Sequence, residues 1–186
     1  MRSRIPTKQE FLIFLQTFDA KSPKQREYSR LIQLIALLGL RWSEMFRITV
    51  RNVLQRHFEI LESKKYSARG KQLKRKVVLT GMAHALAMEQ ISEFCDIKEV
   101  DSYIFEKRSR TAGHYFLKNQ CKKAGIDTLG FNSFRKIAFC AIDKELGENS
   151  AKFYSNHSSV ESLRYYLGND YSRLEEIQKR LESIFI

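Results

Sequence analysis

Apolar residues recur at three- and four-residue spacing along most of the 186-residue chain, the pattern of helices with one buried face. Phe11, Leu12, Phe14, Leu15 and Phe18 form the first such face, and Thr7 with Glu10 has the spacing of a capping box, predicting a helix over residues 8–18. Ser22 followed by Pro23 opens a second, carried to residue 38 by Leu31, Ile32, Leu34, Ile35 and Leu38 and stopped by Gly39. Ser43 is placed to cap a short helix over 44–48. The period then shortens: 58–61 and 76–79 read as strands, with residues 62–75 between them as a basic loop turning at Gly70. Helical spacing returns over 80–94, 109–124, 133–146, 150–154, 159–167 and 172–186, with an extended piece at 101–105. Prolines occur only at positions 6 and 23. The pattern predicts one mainly α domain with a small antiparallel β-sheet, an α+β arrangement without internal repeats, low-complexity tracts or linkers. Residues 7–171 form its core and 172–186 a terminal helix.

Charge narrows the partner. Lys and Arg number 33 against 21 Asp and Glu, a net charge of +12, while apolar residues make up 43%. A folded domain this basic points to a polyanion: DNA, RNA or an anionic surface. No apolar run approaches the roughly 18 residues of a membrane span, so no membrane partner is expected, and no secretory signal is apparent at the N-terminus. The three cysteines, Cys95, Cys121 and Cys140, are an odd count without a CxxC pair. The four histidines are scattered too, so neither a disulfide framework nor a metal site is expected, and a reducing, intracellular setting fits.

Four separated pieces carry chemistry together: Gly39-Leu40-Arg41-Trp42-Ser43-Glu44, Lys64-Lys65, Asn132-Ser133-Phe134-Arg135-Lys136, and His157-Ser158-Ser159 with Tyr166 nine residues after the histidine. Each alone is unremarkable, since terminal arginines and loop lysines are usually solvated and a Tyr165-Tyr166 pair is more often packed than reactive. In this order and spacing they resemble the tyrosine recombinase (phage integrase) family over nearly the whole chain from about Thr7. That family carries a Gly-Leu-Arg-x-x-Glu motif, a hairpin lysine, a His-x-x-Arg motif, a Gly-His-Ser-Ser-like motif and a tyrosine nine residues beyond its histidine. The resemblance assigns Arg41 and Arg135 as the two arginines and Glu44 as the supporting acid. It assigns Lys65 as the hairpin lysine with Lys64 the second choice, His157 as the third-motif histidine, and Tyr166 as nucleophile with Tyr165 the register competitor. Asn132 stands where the family usually has histidine, and Asn156 where it usually has glycine. No separate core-binding domain is expected in the 186 residues.

The resemblance implies metal-independent transesterification without a cofactor. The tyrosine hydroxyl attacks a scissile phosphate, a 3′-phosphotyrosine forms and a 5′-hydroxyl leaves; the reverse attack reseals DNA. Two forked guanidiniums suit the charge gathering on the non-bridging oxygens, about 3–4 kcal/mol per donor. Lys65 would protonate the leaving oxygen, His157 would serve as acid, base or hydrogen-bond donor, and Asn132 could still donate to the phosphate. Lys64, Arg69, Lys71, Lys74, Arg75 and Lys136 are expected to contact duplex DNA, with Lys118, Lys122 and Lys123 as a second basic face. The stripe Leu174, Ile177, Leu181 and Ile184 would be exchanged between protomers in a tetramer on DNA, or pack on its own core. The expected function is site-specific recombination or integration, inside the cell and plausibly encoded by a virus or mobile element. The alternatives are a non-catalytic DNA-binding relative and an unrelated basic helical RNA-binding protein.

Overall fold

The computed structural model describes residues 4–66, 72–147, 150–151, 154 and 171–185. Side-chain capping sets the first helix. In α1 (Lys8–Gln16) the Glu10 N–H donates to Thr7 Oγ1 at 3.1 Å, and the Thr7 N–H donates back to Glu10 Oε2 at 2.8 Å. α2 (Pro23–Leu38) starts on proline and ends at Gly39, whose φ of 58° is the left-handed conformation glycine adopts without strain. The next helix departs from expectation. It is α3 (Trp42–Met45), with Arg41 and not Ser43 at its N-cap, because the Glu44 carboxylate folds back to accept the Arg41 N–H at 2.8 Å. α4 (Val50–Gln55) was not anticipated: six residues give under two turns of periodicity, and a reciprocal Thr49–Asn52 pair defines its start.

The sheet is the hairpin β1 (His57–Tyr66) and β2 (Gln72–Val78), antiparallel, paired from His57↔Val78 to Leu61↔Lys74 and again at Tyr66↔Gln72. Much of the expected basic loop is therefore strand, and Lys74 and Arg75 alternate across a sheet instead of sharing a solvated turn. Phe58, Ile60 and Glu62 face inward on β1, as do Arg75 and Val77 on β2. The expected extended piece at 101–105 makes a single bridge, Thr49 to Tyr103.

α5 (Gly81–Phe94), α6 (Arg110–Ala124) and α7 (Phe131–Leu146) follow, capped at Thr80, Ser109 and Gly130. α7 begins two residues before the expected start at 133, so Asn132 lies inside its first turn. The main core gathers α1 to α7 around Phe14, Leu34, Ile35, Leu40, Met45, Phe105, Phe131 and Phe134, all 2% exposed or less. Fully burying a side chain of this size is worth about 1.5–3 kcal/mol.

A second cluster joins Val78, Ala138, Ile142, Ala151 and Tyr154 to Leu174, Ile177 and Leu181 of α8 (Tyr171–Phe185). The terminal stripe is thus packed on its own chain through those three residues. Glu182 ties it down further, accepting from Thr80 Oγ1 at 3.3 Å and from the Ala83 N–H at 3.2 Å at the start of α5. Exchange in trans would first have to release this docking. Residues 150, 151 and 154 of the expected 150–154 helix are helical, while the helix expected at 159–167, with His157, Tyr165 and Tyr166, lies outside the described residues.

Candidate active site

The turn after α2 and the first turn of α7 bring two arginines onto one carboxylate. Glu44, fully buried, receives Arg41 Nη1 on Oε1 at 2.7 Å, the Arg41 N–H on Oε2 at 2.8 Å, and Arg135 Nη1 on Oε2 at the longer distance of 3.5 Å. A buried carboxylate is tolerated only when paired and hydrogen-bonded, and these guanidiniums supply both. Arg135 is 7% exposed and lies with its guanidinium 4.9 Å over the Phe139 ring. Burial first, then the like charges of Arg75 and Arg41, hold it down at about 9, still charged at neutral pH. Arg41 is more open, with 21% of its side chain accessible.

Arg75 corrects an expectation. It was placed among solvated phosphate contacts, yet it is 5% exposed. Strand alternation turns it to the face shared with Val77, where Nη1 donates to the Gly39 carbonyl at 3.0 Å and Nη2 to that of Leu38 at 2.8 Å. Lys74 is on the opposite, exposed face and pairs with Glu59 at 3.2 Å. Lys136 is half-buried on α7. Lys64 and Lys65 belong to β1, but their side chains lie outside what is described, as do Arg69 and Lys71 entirely. Lys118, Lys122 and Lys123 are exposed on α6.

Beside Arg41 opens a pocket of about 420 Å³ lined by Trp42, Ser43, Phe131, Asn132 and residues 107–110. Asn132 is exposed, at its rim. The run Lys107-Arg108-Ser109-Arg110 was not singled out from sequence; three cations within four residues at a helix start was the signal available. Arg108 is neutralised by buried Glu27 and lies 5.3 Å over Tyr28, whereas Lys107 and Arg110 are exposed. The pocket therefore carries surplus positive charge next to the paired arginines. No group of three or more metal-ligating side chains occurs among the described residues, and none of their helices is long and apolar enough to cross a membrane.

The helical body and the two-stranded hairpin match solved integrase folds. The integrase from mycobacterium phage Brujita superposes with a TM-score of 0.68 at 15% identity, over 97% of this chain and 58% of that one. A lambda integrase dimer bound to a COC′ core site gives 0.63 at 16%, over 91% and 60%. The lambda integrase catalytic core gives 0.63 at 17%, over 84% and 92%. The chain thus spans less than two thirds of the Brujita protein but nearly all of an isolated catalytic core. No curated protein gives a significant match. The phage integrase family model matches residues 7–173, and the chain belongs to that family.

Proposed function

We propose that this chain is the catalytic domain of a site-specific DNA recombinase or integrase that breaks and rejoins strands through a 3′-phosphotyrosine. The observation that carries the reading is the Arg41–Glu44–Arg135 arrangement beside a cation-lined pocket. Two guanidiniums fixed on a buried carboxylate keep donors for the non-bridging oxygens of a phosphodiester. In the proposed step the Tyr166 oxygen bonds to phosphorus and the P–O5′ bond breaks. The departing oxygen takes a proton from Lys65, or from Lys64 if the register differs, and His157 receives or orients the tyrosine proton. Asn132 donates to the scissile phosphate in the place of the family's histidine, and Lys107 and Arg110 hold flanking backbone phosphates. Two of the solved relatives, the lambda dimer and a Tn1549 transposon integrase, are bound to DNA, which supports duplex DNA as the partner. Assembly as a tetramer on DNA belongs to the same proposal.

The test is a nicked suicide duplex, on which an active enzyme becomes covalently attached. Wild type and Tyr165→Phe should form the adduct and Tyr166→Phe should not, with duplex affinity nearly unchanged because one hydroxyl and no charge is lost. An adduct lost with Tyr165→Phe and kept with Tyr166→Phe would shift the nucleophile by one residue. Asn132 in the place of the family's histidine favours one second reading, a DNA-binding relative without catalysis. Tight duplex binding with no adduct from wild type would select it.

A further inference from the structure

Among the charged groups around Glu44, one has no part in the proposed chemistry. Arg75 comes from the hairpin, is 5% exposed, and makes its two hydrogen bonds to neutral backbone carbonyls, those of Leu38 and Gly39. A buried guanidinium used this way is unusual, because desolvating the charge is costly and carbonyls return only part of it. Its Nε is buried without a hydrogen-bond partner.

What those carbonyls belong to gives the arrangement its meaning. They end α2, where the last carbonyls of a helix lack partners within it and carry the negative end of its dipole. The carbonyl one residue earlier, Leu37, accepts the Tyr154 hydroxyl at 2.8 Å, and the Arg75 guanidinium lies 5.2 Å from the centre of that ring. Three successive carbonyls at residues 37–39 are therefore fixed by two side chains from outside α2. Gly39 is enclosed as well: a Cβ there would sit 2.8 Å from Phe139, whose ring also supports Arg135. Two residues beyond Gly39 the chain reaches Arg41, and nothing between can absorb a shift, since Leu40 is fully buried.

We infer that Arg75 is a positioning residue: it locks the last turn of α2 to the β-hairpin and so sets where Arg41 meets the phosphate. The hairpin, whose other strand carries the candidate general acid, is thereby tied to the α2–α3 junction that presents the clamp, so displacement of one is felt by the other. The inference rests on the proposed strand-cleavage reading for its catalytic consequence, but its structural half stands without it.

The experiment is a cycle with Arg75→Met and Arg75→Lys, each in wild type and in an Arg41→Ala background. It reads the single-turnover adduct rate at saturating nicked duplex, the duplex Kd, and backbone amide exchange at residues 39–45. Arg75→Met should lower the adduct rate about 10–100-fold, the scale of an ångström misplacement, with Kd changed by less than about threefold. In the Arg41→Ala background it should add almost nothing, because the group it positions is gone. Arg75→Lys, which keeps the charge and one donor, should recover part of the rate. The same fold-loss in both backgrounds, or none in wild type, overturns the inference. If wild type forms no adduct, the cleavage reading fails while exchange still decides this one. Faster exchange at 39–45 with α6 unchanged sustains the lock, and unaltered exchange removes it. Should Arg75→Met not fold, Arg75→Lys carries the cycle and the exchange measurement with the same criteria.

Discussion

Gly113→Ala sets two known effects against each other at a point that touches the site. Gly113 is a buried helical position in α6, and at an open helical position alanine is favoured over glycine by about 0.5–1 kcal/mol. Here an added Cβ would lie 2.8 Å from Phe131 Cζ and 3.0 Å from Trp42 Cζ2. Both rings border the pocket but are held by their packing on other rings. They stack on each other at 3.9 Å, Trp42 meets Phe46 edge-on at 4.8 Å, and Phe131 is 2% exposed. Overpacking of this kind costs about 1–3 kcal/mol, so the steric effect wins by about 1–2 kcal/mol. For a chain of this length that lowers Tm by about 2–8 °C. Trp42 follows Arg41 and Phe131 precedes Asn132, so forcing the rings apart also spreads the two helix starts that frame the pocket. Thermal unfolding by circular dichroism reads the first effect and adduct formation at 25 °C the second. A Tm equal to or above wild type would show that the rings yield, and the argument that they rigidly align α3 with α7 would fall.

Lys65→Ala should slow adduct formation on ordinary DNA by about 10²-fold or more, within the general-acid range, yet have little effect on a 5′-bridging phosphorothiolate, whose sulfur leaves without a proton; equal loss on both substrates would pass the role to Lys64. Glu93→Gln addresses stability away from the site: Glu93 accepts from Arg26 and Arg30, which hold its carboxyl down at about 2. A carboxyl depressed on folding stabilises fully above its unfolded value near 4.5 and loses that contribution as pH falls toward 2. The variant should therefore be less stable in urea melts at pH 7 by at most about 1 kcal/mol, with the gap narrowing below pH 4. A gap that stays constant down to pH 3 would mean that packing and not charge separates the two proteins.

Local signals were legible where one residue type has one use. Thr7 with Glu10, Pro23 and Gly39 marked helix ends that the structure keeps. Charge runs misled, because a run of Lys and Arg reads as solvated whatever its backbone does. Composition assigns residues 74 and 75 to the loop, although Val77 as a core residue implies, by alternation, that Arg75 faces inward. Arg41 and Glu44 were found as a motif, but the capping role that decides their geometry depends on Arg41 itself being the N-cap. Lys107 and Arg110 carry no such signal for a different reason: what makes them relevant is the packing of the start of α6 beside α3, between positions more than sixty residues apart, which no local pattern encodes.

Charge balance connects the buried parts of this region. Arg41, Arg75 and Arg135 are three cations gathered around two buried carboxylates, Glu44 and Glu62. Glu44 is shared by Arg41 and Arg135, and Arg75 donates to carbonyls that carry no formal charge. Burial first, then the like charges of Arg75 and Arg41, lower the Arg135 pKa, and the two carboxylates oppose them. A phosphodiester carries one negative charge. Placed against Arg41 and Arg135, it would offset part of the like-charge repulsion among the three guanidiniums. An anion offsets this repulsion and a neutral ligand does not, in keeping with the proposed phosphodiester substrate. The transition state gathers still more negative charge on the same oxygens, so in the proposed reaction the clustered guanidiniums bind preferentially the state that must be reached.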